Sequence, residues 1–186
     1  MIVISGPGGV GKDTLIEMLR GRHPRLTYAV SYTTRPRRDY ERDGVHYSFV
    51  GEGEFEQLAR DGRLLEHALV NGHRYGTSAE RVDAALARGE DVILKIDVQG
   101  AEQVRARRPD GLYFFVAPPS MDELNRRRRR RGDTPAESDE RQRLAEREMA
   151  ARESYDHVVV NDDAHRAVAE IESILHLDAV DADRAG

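Results

Sequence analysis

Gly6-Pro7-Gly8-Gly9-Val10-Gly11-Lys12 is the stretch of this chain whose residue types and spacing speak most directly to chemistry. Its glycines let consecutive backbone N–H groups turn inward around a phosphate, and the lysine that follows can reach terminal phosphate oxygens. The stretch comes after an apolar run, Ile2 to Ser5, and before a helical pattern, which is the context such a loop requires. A glycine-rich turn that merely joins strand to helix is the plainer reading. Spacing and flanks together favour a nucleotide-phosphate site, with Gly6, Gly8, Gly9, Val10, Gly11, Lys12, Asp13 and Thr14 as its contacts. One position departs from the usual pattern. Asp13 stands where Ser or Thr normally helps hold magnesium, and Thr14 comes next. The metal is therefore expected mainly on nucleotide oxygens and water, with Thr14 or Asp13 as the protein's own oxygen donor.

A second stretch, Ser31-Tyr32-Thr33-Thr34-Arg35-Pro36-Arg37-Arg38, packs arginines and hydroxyls at a density that suits a phosphate monoester. Arginine offers planar, bidentate contacts to phosphate oxygens. Standing alone it would read as a solvated basic turn. It is followed by Asp43-Gly44-Val45-His46-Tyr47-Ser48-Phe49, then Leu64-Leu65-Glu66, Tyr75-Gly76-Thr77 and Ile96-Asp97-Val98-Gln99-Gly100. Arg126 to Arg131 is an unbroken run of six arginines. On a helix such a run points in all directions, so most of it reads as surface. Asn161-Asp162-Asp163 closes the last apolar run, and either aspartate can cap the helix after it.

The elements that must position these groups follow from apolar periodicity. Ile2 to Ser5, Val92 to Ile96, Leu112 to Val116 and His157 to Val160 read as buried strands. Helical patterns cover Thr14 to Arg22, Ala101 to Arg107, Met121 to Arg131, Arg141 to Arg152 and Ala164 to Leu175. Strands alternating with helices predict an α/β fold, a parallel sheet with helices on both faces. Between them, Tyr28 to Thr33 and Val45 to Val50 read as strands of a smaller mixed sheet, with helices at Glu54 to Arg60 and Ser78 to Arg88. Ser120 is a candidate helix cap, and Gly132-Asp133-Thr134-Pro135 reads as a hinge in a helical lid. The expected organisation is a core of 1–32 and 89–186, an inserted subdomain of 33–88, a lid at about 126–145 and a frayed acidic tail over 177–186.

Composition narrows the function classes. The chain has 186 residues, 29 basic and 34 acidic, with a net charge of -5, so a nucleic-acid coat is not expected. No cysteine is present, which excludes a disulfide scaffold, a thiol nucleophile and a thiolate metal site. The histidines show no metal spacing. No charged leader or long apolar run precedes the first strand, so a cytoplasmic protein without membrane or nucleic-acid partners is expected. Only Lys12 and Lys95 are lysine among the basic residues.

The ordered set behind the phosphate loop resembles the guanylate kinases closely, from Ile2 to about Leu175. The resemblance implies a nucleoside monophosphate kinase fold and the Mg2+-dependent transfer of a phosphoryl group from ATP to GMP. It implies that Ser31, Arg35, Arg38 and Tyr47 hold the GMP phosphate with Tyr75 close by, and that Glu66, Thr77 and Asp97 read the guanine. Guanine offers its N1–H and 2-amino group as donors on one edge, so a carboxylate can accept from both; adenine would leave that carboxylate unpaired. The resemblance also singles out Lys12, Arg35, Arg131 and Arg143 as catalytic, the last two closing over the triphosphate, and Asn161 as the adenine-side contact.

Three departures stand out. Lys95 occupies a position where the family more often has an acid, Tyr40 one where it usually has glycine, and the lid loop is one residue longer before Arg143. Lys95 could pair with Asp97 or Asp13, or add charge near the phosphates. Other readings share part of the pattern. The Gly-Lys-Asp ending resembles kinases of ribose bisphosphate, which would not need Glu66 or Tyr75-Gly76-Thr77. Non-catalytic guanylate-kinase-like modules have typically lost the phosphate loop that is present here. dGMP or IMP could replace GMP as acceptor.

Overall fold

The computed structural model describes residues 1–130 and 135–177. Arg131 and the Gly132-Asp133-Thr134 part of the expected hinge lie outside the described residues, as does the tail from 178 on. The chain divides into two compact units, residues 1–3 with 27–111, and residues 4–26 with the chain from 112 on. Strand β1 (Ile2–Ser5) lends residues to both.

The second unit holds the phosphate-loop side. After β1 come α1 (Lys12–Arg22), then β8 (Leu112–Ala117), α5 (Met121–Arg130), α6 (Pro135–Ala150), β9 (His157–Val160) and α7 (Ala164–Ile174). β8 and β9 run parallel, with Phe115 opposite Val158. Leu15 and Leu19 of α1, Phe114 and Phe115 of β8, Leu124 of α5 and Ile171 of α7 are completely buried. Each such side chain contributes about 1.5–3 kcal/mol by leaving water. α5 and α7 begin as the sequence leads one to expect. Ser120 Oγ accepts from the Glu123 amide at 3.1 Å, and Asp163, rather than Asp162, is the cap of α7, accepting from the Arg166 amide at 2.9 Å.

The first unit carries β2 (Leu26–Tyr28), β3 (Tyr32–Thr33), β4 (Ser48–Phe49), α2 (Glu52–Arg60), β5 (Leu64–Val70), β6 (His73–Ser78), α3 (Ala79–Ala87), β7 (Asp91–Lys95) and α4 (Val98–Arg107). β2 and β7 belong to the parallel sheet, whose strand order is β2-β7-β1-β8-β9. β4-β3-β6-β5 form the small mixed sheet. Phe55, Leu58 and Leu64 make a separate small core under it, with Tyr32 and Val50 packed against them. Arg107 of α4 donates to the Leu64 and Leu65 carbonyls at 3.0 and 2.7 Å, fixing α4 along β5.

Two differences from the sequence-based expectation matter for the site. Tyr28 to Thr33 is not one strand: it splits into β2 and β3, which belong to different sheets. The β5–β6 hairpin was not anticipated. Strand β6 is too polar to show an apolar alternation, yet the turn before it carries a sequence signal. Asn71 and Gly72 adopt φ values of 49° and 76°, as a two-residue primed turn demands. Val70 pairs with His73 across that turn, and the same register sets Glu66 opposite Thr77.

Candidate active site

The phosphate loop joins β1 to α1 within the second unit. Gly6 has a φ of +131°, and a Cβ there would sit 2.2 Å from the Val116 carbonyl oxygen. Gly11 has a φ of +106°, and its Cβ would lie 2.5 Å from the Asn161 amide nitrogen. Neither position can carry a side chain, so these glycines are fixed by geometry. Gly11 is also the residue before α1 and offers the helix no side-chain cap. The first N–H groups of α1 therefore lack an intrahelical acceptor, which is the condition for anion binding at a helix start. Lys12 Nζ donates to the Gly6 carbonyl at 2.5 Å and the Pro7 carbonyl at 3.2 Å, so it lies folded back along the loop. Asp13 and Thr14 open α1 with exposed side chains.

Side chains from beyond the loop hold its carbonyl groups. Asn161 Nδ2 donates to Val10 O at 2.8 Å, and Arg127 donates to Val10 O at 3.3 Å and Asn161 O at 3.0 Å. Arg128 Nε donates to Gly8 O at 2.7 Å, and its chain lies against Gly9. Arg128 is only 6% exposed, although it belongs to the arginine run read as largely solvated. The signal was present: Arg128 lies four residues after the buried Leu124, on the same helix face. Arg143, on α6, has an exposed side chain. Among the described residues, no three acidic or histidine side chains converge as a metal cage.

The arginine-rich turn of the first unit is organised by Glu41. This carboxylate is 4% exposed; one oxygen accepts from Arg35 at 2.7 Å, and the other accepts from the Arg38 backbone amide at 2.8 Å. Burial alone would push the Glu41 carboxyl up. The Arg35 bond, the Arg38 amide and the two arginine charges outweigh it and hold the group below the usual carboxylate value. Arg35 also donates to Tyr75 Oη at 3.3 Å, and its guanidinium carbon lies 5.6 Å from the Tyr47 ring centre. Tyr47 and Tyr75 meet edge to face at 5.8 Å. Arg38 is exposed and donates to Tyr40 Oη at 2.8 Å. Ser31 is buried, and its carbonyl accepts from the Ser48 amide at 2.9 Å, seating β4 beside β3. Arg35, Tyr47 and Tyr75 thus form one cluster, as the motif reading requires. Glu41, to which the sequence reading gave no role, is the group that aims it. Replacing Glu41 with Ala is expected to weaken binding of a nucleoside monophosphate about tenfold and to cost about 1–3 kcal/mol of stability. Calorimetry and thermal unfolding would measure the two effects. Unchanged monophosphate affinity would show that Arg35 needs no such support.

Across the hairpin, Thr77 Oγ1 donates to Glu66 Oε1 at 2.6 Å, with both side chains buried. A Cβ on Gly100 would meet Glu66 Oε2 at 2.5 Å and Asp97 Oδ1 at 3.3 Å, so only glycine leaves room for this carboxylate pair. Asp97 caps α4, accepting from the Gly100 amide at 2.9 Å, and takes a bond from Gln99 at 3.1 Å. Burial pushes the Glu66 carboxyl up to about 7; Thr77 opposes the rise and the Asp97 charge adds to it. The arrangement is a buried acceptor edge, poised between its neutral and ionised forms and suited to a ligand that presents two donors side by side.

Known proteins resemble this chain over most of its length. A family model described as guanylate kinase matches residues 1–178. A guanylate kinase of Synechococcus sp. (strain JA-3-3Ab) is 45% identical over 177 residues, covering 95% of this chain and 82% of the relative. One from Carboxydothermus hydrogenoformans is 43% identical over 176 residues, covering 94% and 86%. Among solved structures, guanylate kinase from Anaplasma phagocytophilum superposes with a TM-score of 0.77 at 32% identity, over 97% of this chain and 86% of that one. A shikimate kinase from Bacteroides thetaiotaomicron, 16% identical with a TM-score of 0.52, shares the fold.

Proposed function

This chain belongs to the guanylate kinase family, and on that premise we propose roles for its residues in moving a phosphoryl group from ATP to GMP. The chain is an ATP:GMP phosphotransferase, yielding ADP and GDP. The observation that carries the acceptor assignment is the buried Glu66, 3% exposed and held by Thr77 beside Asp97. A carboxylate kept this dry is costly unless a ligand supplies donors, and guanine's N1–H and 2-amino group do so. dGMP presents the same edge and is expected to serve as a second acceptor.

Phosphoryl transfer through a loose transition state asks the protein mainly for alignment and charge neutralisation. In our assignment the loop from Gly6 to Gly11 and the start of α1 hold the ATP phosphates, with Lys12 turning from the Gly6 carbonyl to the terminal ones. Asn161 borders the adenine side. Ser31, Arg35, Arg38 and Tyr47, with Tyr75 beside them, hold the GMP phosphate. Arg143, together with Arg131, neutralises the group in transit, in a lid that spans about 126–145. Residues 33–88 form the acceptor-binding subdomain, with Ser31 and Asp97 contributed from outside it. The attacking GMP oxygen is already anionic, so no general base is required. Thr14 or Asp13, exposed at the start of α1, is the side chain that would touch a Mg2+ ion brought in with ATP, its other ligands being phosphate oxygens and water. Such an ion would supply charge neutralisation at the donor phosphates.

Among the described residues no helix is long and apolar enough to cross a membrane. We place the reaction in the cytoplasm, where ATP and GMP are both available. A coupled assay of ADP formation tests the whole reading, with GMP, AMP, UMP and ribose bisphosphate offered in parallel. ADP formation with GMP alone is the expected result. Turnover of the sugar phosphate without GMP would overturn it.

A further inference from the structure

Lys95 ends β7 and is half-buried. Its Nζ stands 4.9 Å from the centre of the Tyr47 ring and 5.9 Å from that of Tyr28. The Arg35 guanidinium carbon lies 5.6 Å from the centre of the same Tyr47 ring. Two cations therefore share one aromatic side chain. A ring's quadrupole attracts each of them but offsets only part of their mutual repulsion. A phosphate dianion seated against Tyr47 and Arg35 would also come within reach of the Lys95 ammonium, whose three rotatable donors need no fixed approach. The acid expected at this position from the family pattern would repel that dianion. Lysine reverses the sign of the local field.

We infer that Lys95 is a further phosphate-binding residue of the acceptor site, a third cation beside Arg35 and Arg38 that contacts GMP oxygens. The inference rests on the GMP assignment above. It gives this chain one more positive charge on the acceptor phosphate than the family pattern supplies. Two consequences follow. Affinity for GMP should depend on Lys95 while affinity for guanosine, which has no phosphate, should not. The dependence of GMP affinity on salt should also weaken when the charge is removed.

The chain has two lysines, so amine acetylation followed by mass spectrometry reads Lys95 directly in the unaltered protein. GMP should slow acetylation of Lys95 and guanosine should not, while ATP protects Lys12. In calorimetry, Lys95→Met should weaken GMP binding about 10- to 100-fold, as loss of a charged hydrogen bond does, and leave guanosine binding unchanged. Lys95→Arg should recover most of the GMP affinity. GMP that binds without protecting Lys95 would overturn the inference alone, as would equal loss of GMP and guanosine in the Met variant. Failure of the unaltered protein to prefer GMP over AMP would remove the acceptor assignment, and this inference with it.

Discussion

Replacing Lys12 with Met is expected to lower kcat by about 10³-fold or more, the scale on which a positioned cation acts in phosphoryl transfer. Lys12 Nζ already donates to the Gly6 and Pro7 carbonyls, so the backbone of the loop holds the ammonium in reach of whatever the loop encloses. An ammonium has three donors, and it can keep one on a loop carbonyl while the others follow the transferring oxygens. Arginine at the same position presents a rigid fork that cannot divide itself this way, so Lys12→Arg is expected to fail almost as badly. Most of the loss should fall on kcat, because charge on the transferring group is largest in the transition state. GMP binding, measured without ATP, should be unchanged, since Lys12 is assigned to the donor side. Thermal stability should move little, because Lys12 is half-buried and water can take the place of its ammonium at the loop carbonyls. Full activity in the Met variant would remove Lys12 from the mechanism.

That the glycine loop could be read from sequence while the β5–β6 hairpin and the buried Arg128 could not has a physical reason. Gly6 and Gly11 are required by their own backbone angles and by atoms that crowd them, so a local pattern reports a local necessity. The strands His157–Val160 and Ile2–Ser5 were equally legible as strands, because apolar runs of that length have few other uses. Only Ile2–Ser5 is buried throughout: in His157–Val160 Val159 alone is buried, and Val158 and Val160 are 42% and 44% exposed. The β5–β6 hairpin was not. Its strand His73–Ser78 holds one aromatic residue and no aliphatic one, and its stability comes from pairing with β3 and β5 rather than from its own pattern. Asn71-Gly72 was the one local clue. Arg128 was not singled out from its run for a related reason. Its burial is made tolerable by Gly8 O, a partner 120 positions away in the chain. Glu41 shows the same limit at short range: its two arginine contacts, through the side chain of one and the amide of the other, exist only once the turn has closed. Family resemblance named the residues we assign to the ligands, but the groups that aim them came only from the fold.

Glu66→Gln carries the second large expected effect, a loss of about 10²–10⁴-fold in kcat/KM for GMP, the range seen when a site built to pair buried polar groups is mismatched. A carboxylate accepts from both guanine donors; an amide accepts from one and turns its own donors on the other. The same change should alter the pH profile in a way that separates two ionisations. Burial sets the Glu66 carboxyl at about 7 in the free protein, and guanine requires the ionised form. Below about pH 7, kcat/KM for GMP should therefore fall as Glu66 protonates. The GMP phosphate itself gains its second charge near pH 6, as phosphate monoesters do. The unaltered protein should show both steps, and the Gln variant only the lower one. Stability gives an independent check. The folded value of Glu66 lies above its ordinary carboxylate value, so its favourable contribution is complete below that ordinary value and is lost as pH rises through about 7. At pH 8 the free protein carries an ionised, dehydrated carboxylate near Asp97, and Gln removes that charge. The Gln variant should melt higher than the unaltered protein at pH 8, with the advantage shrinking toward pH 5. GMP should reverse the order by stabilising only the protein that retains the carboxylate. A variant that kept GMP discrimination, or a profile unchanged near pH 7, would take the guanine-reading role away from Glu66.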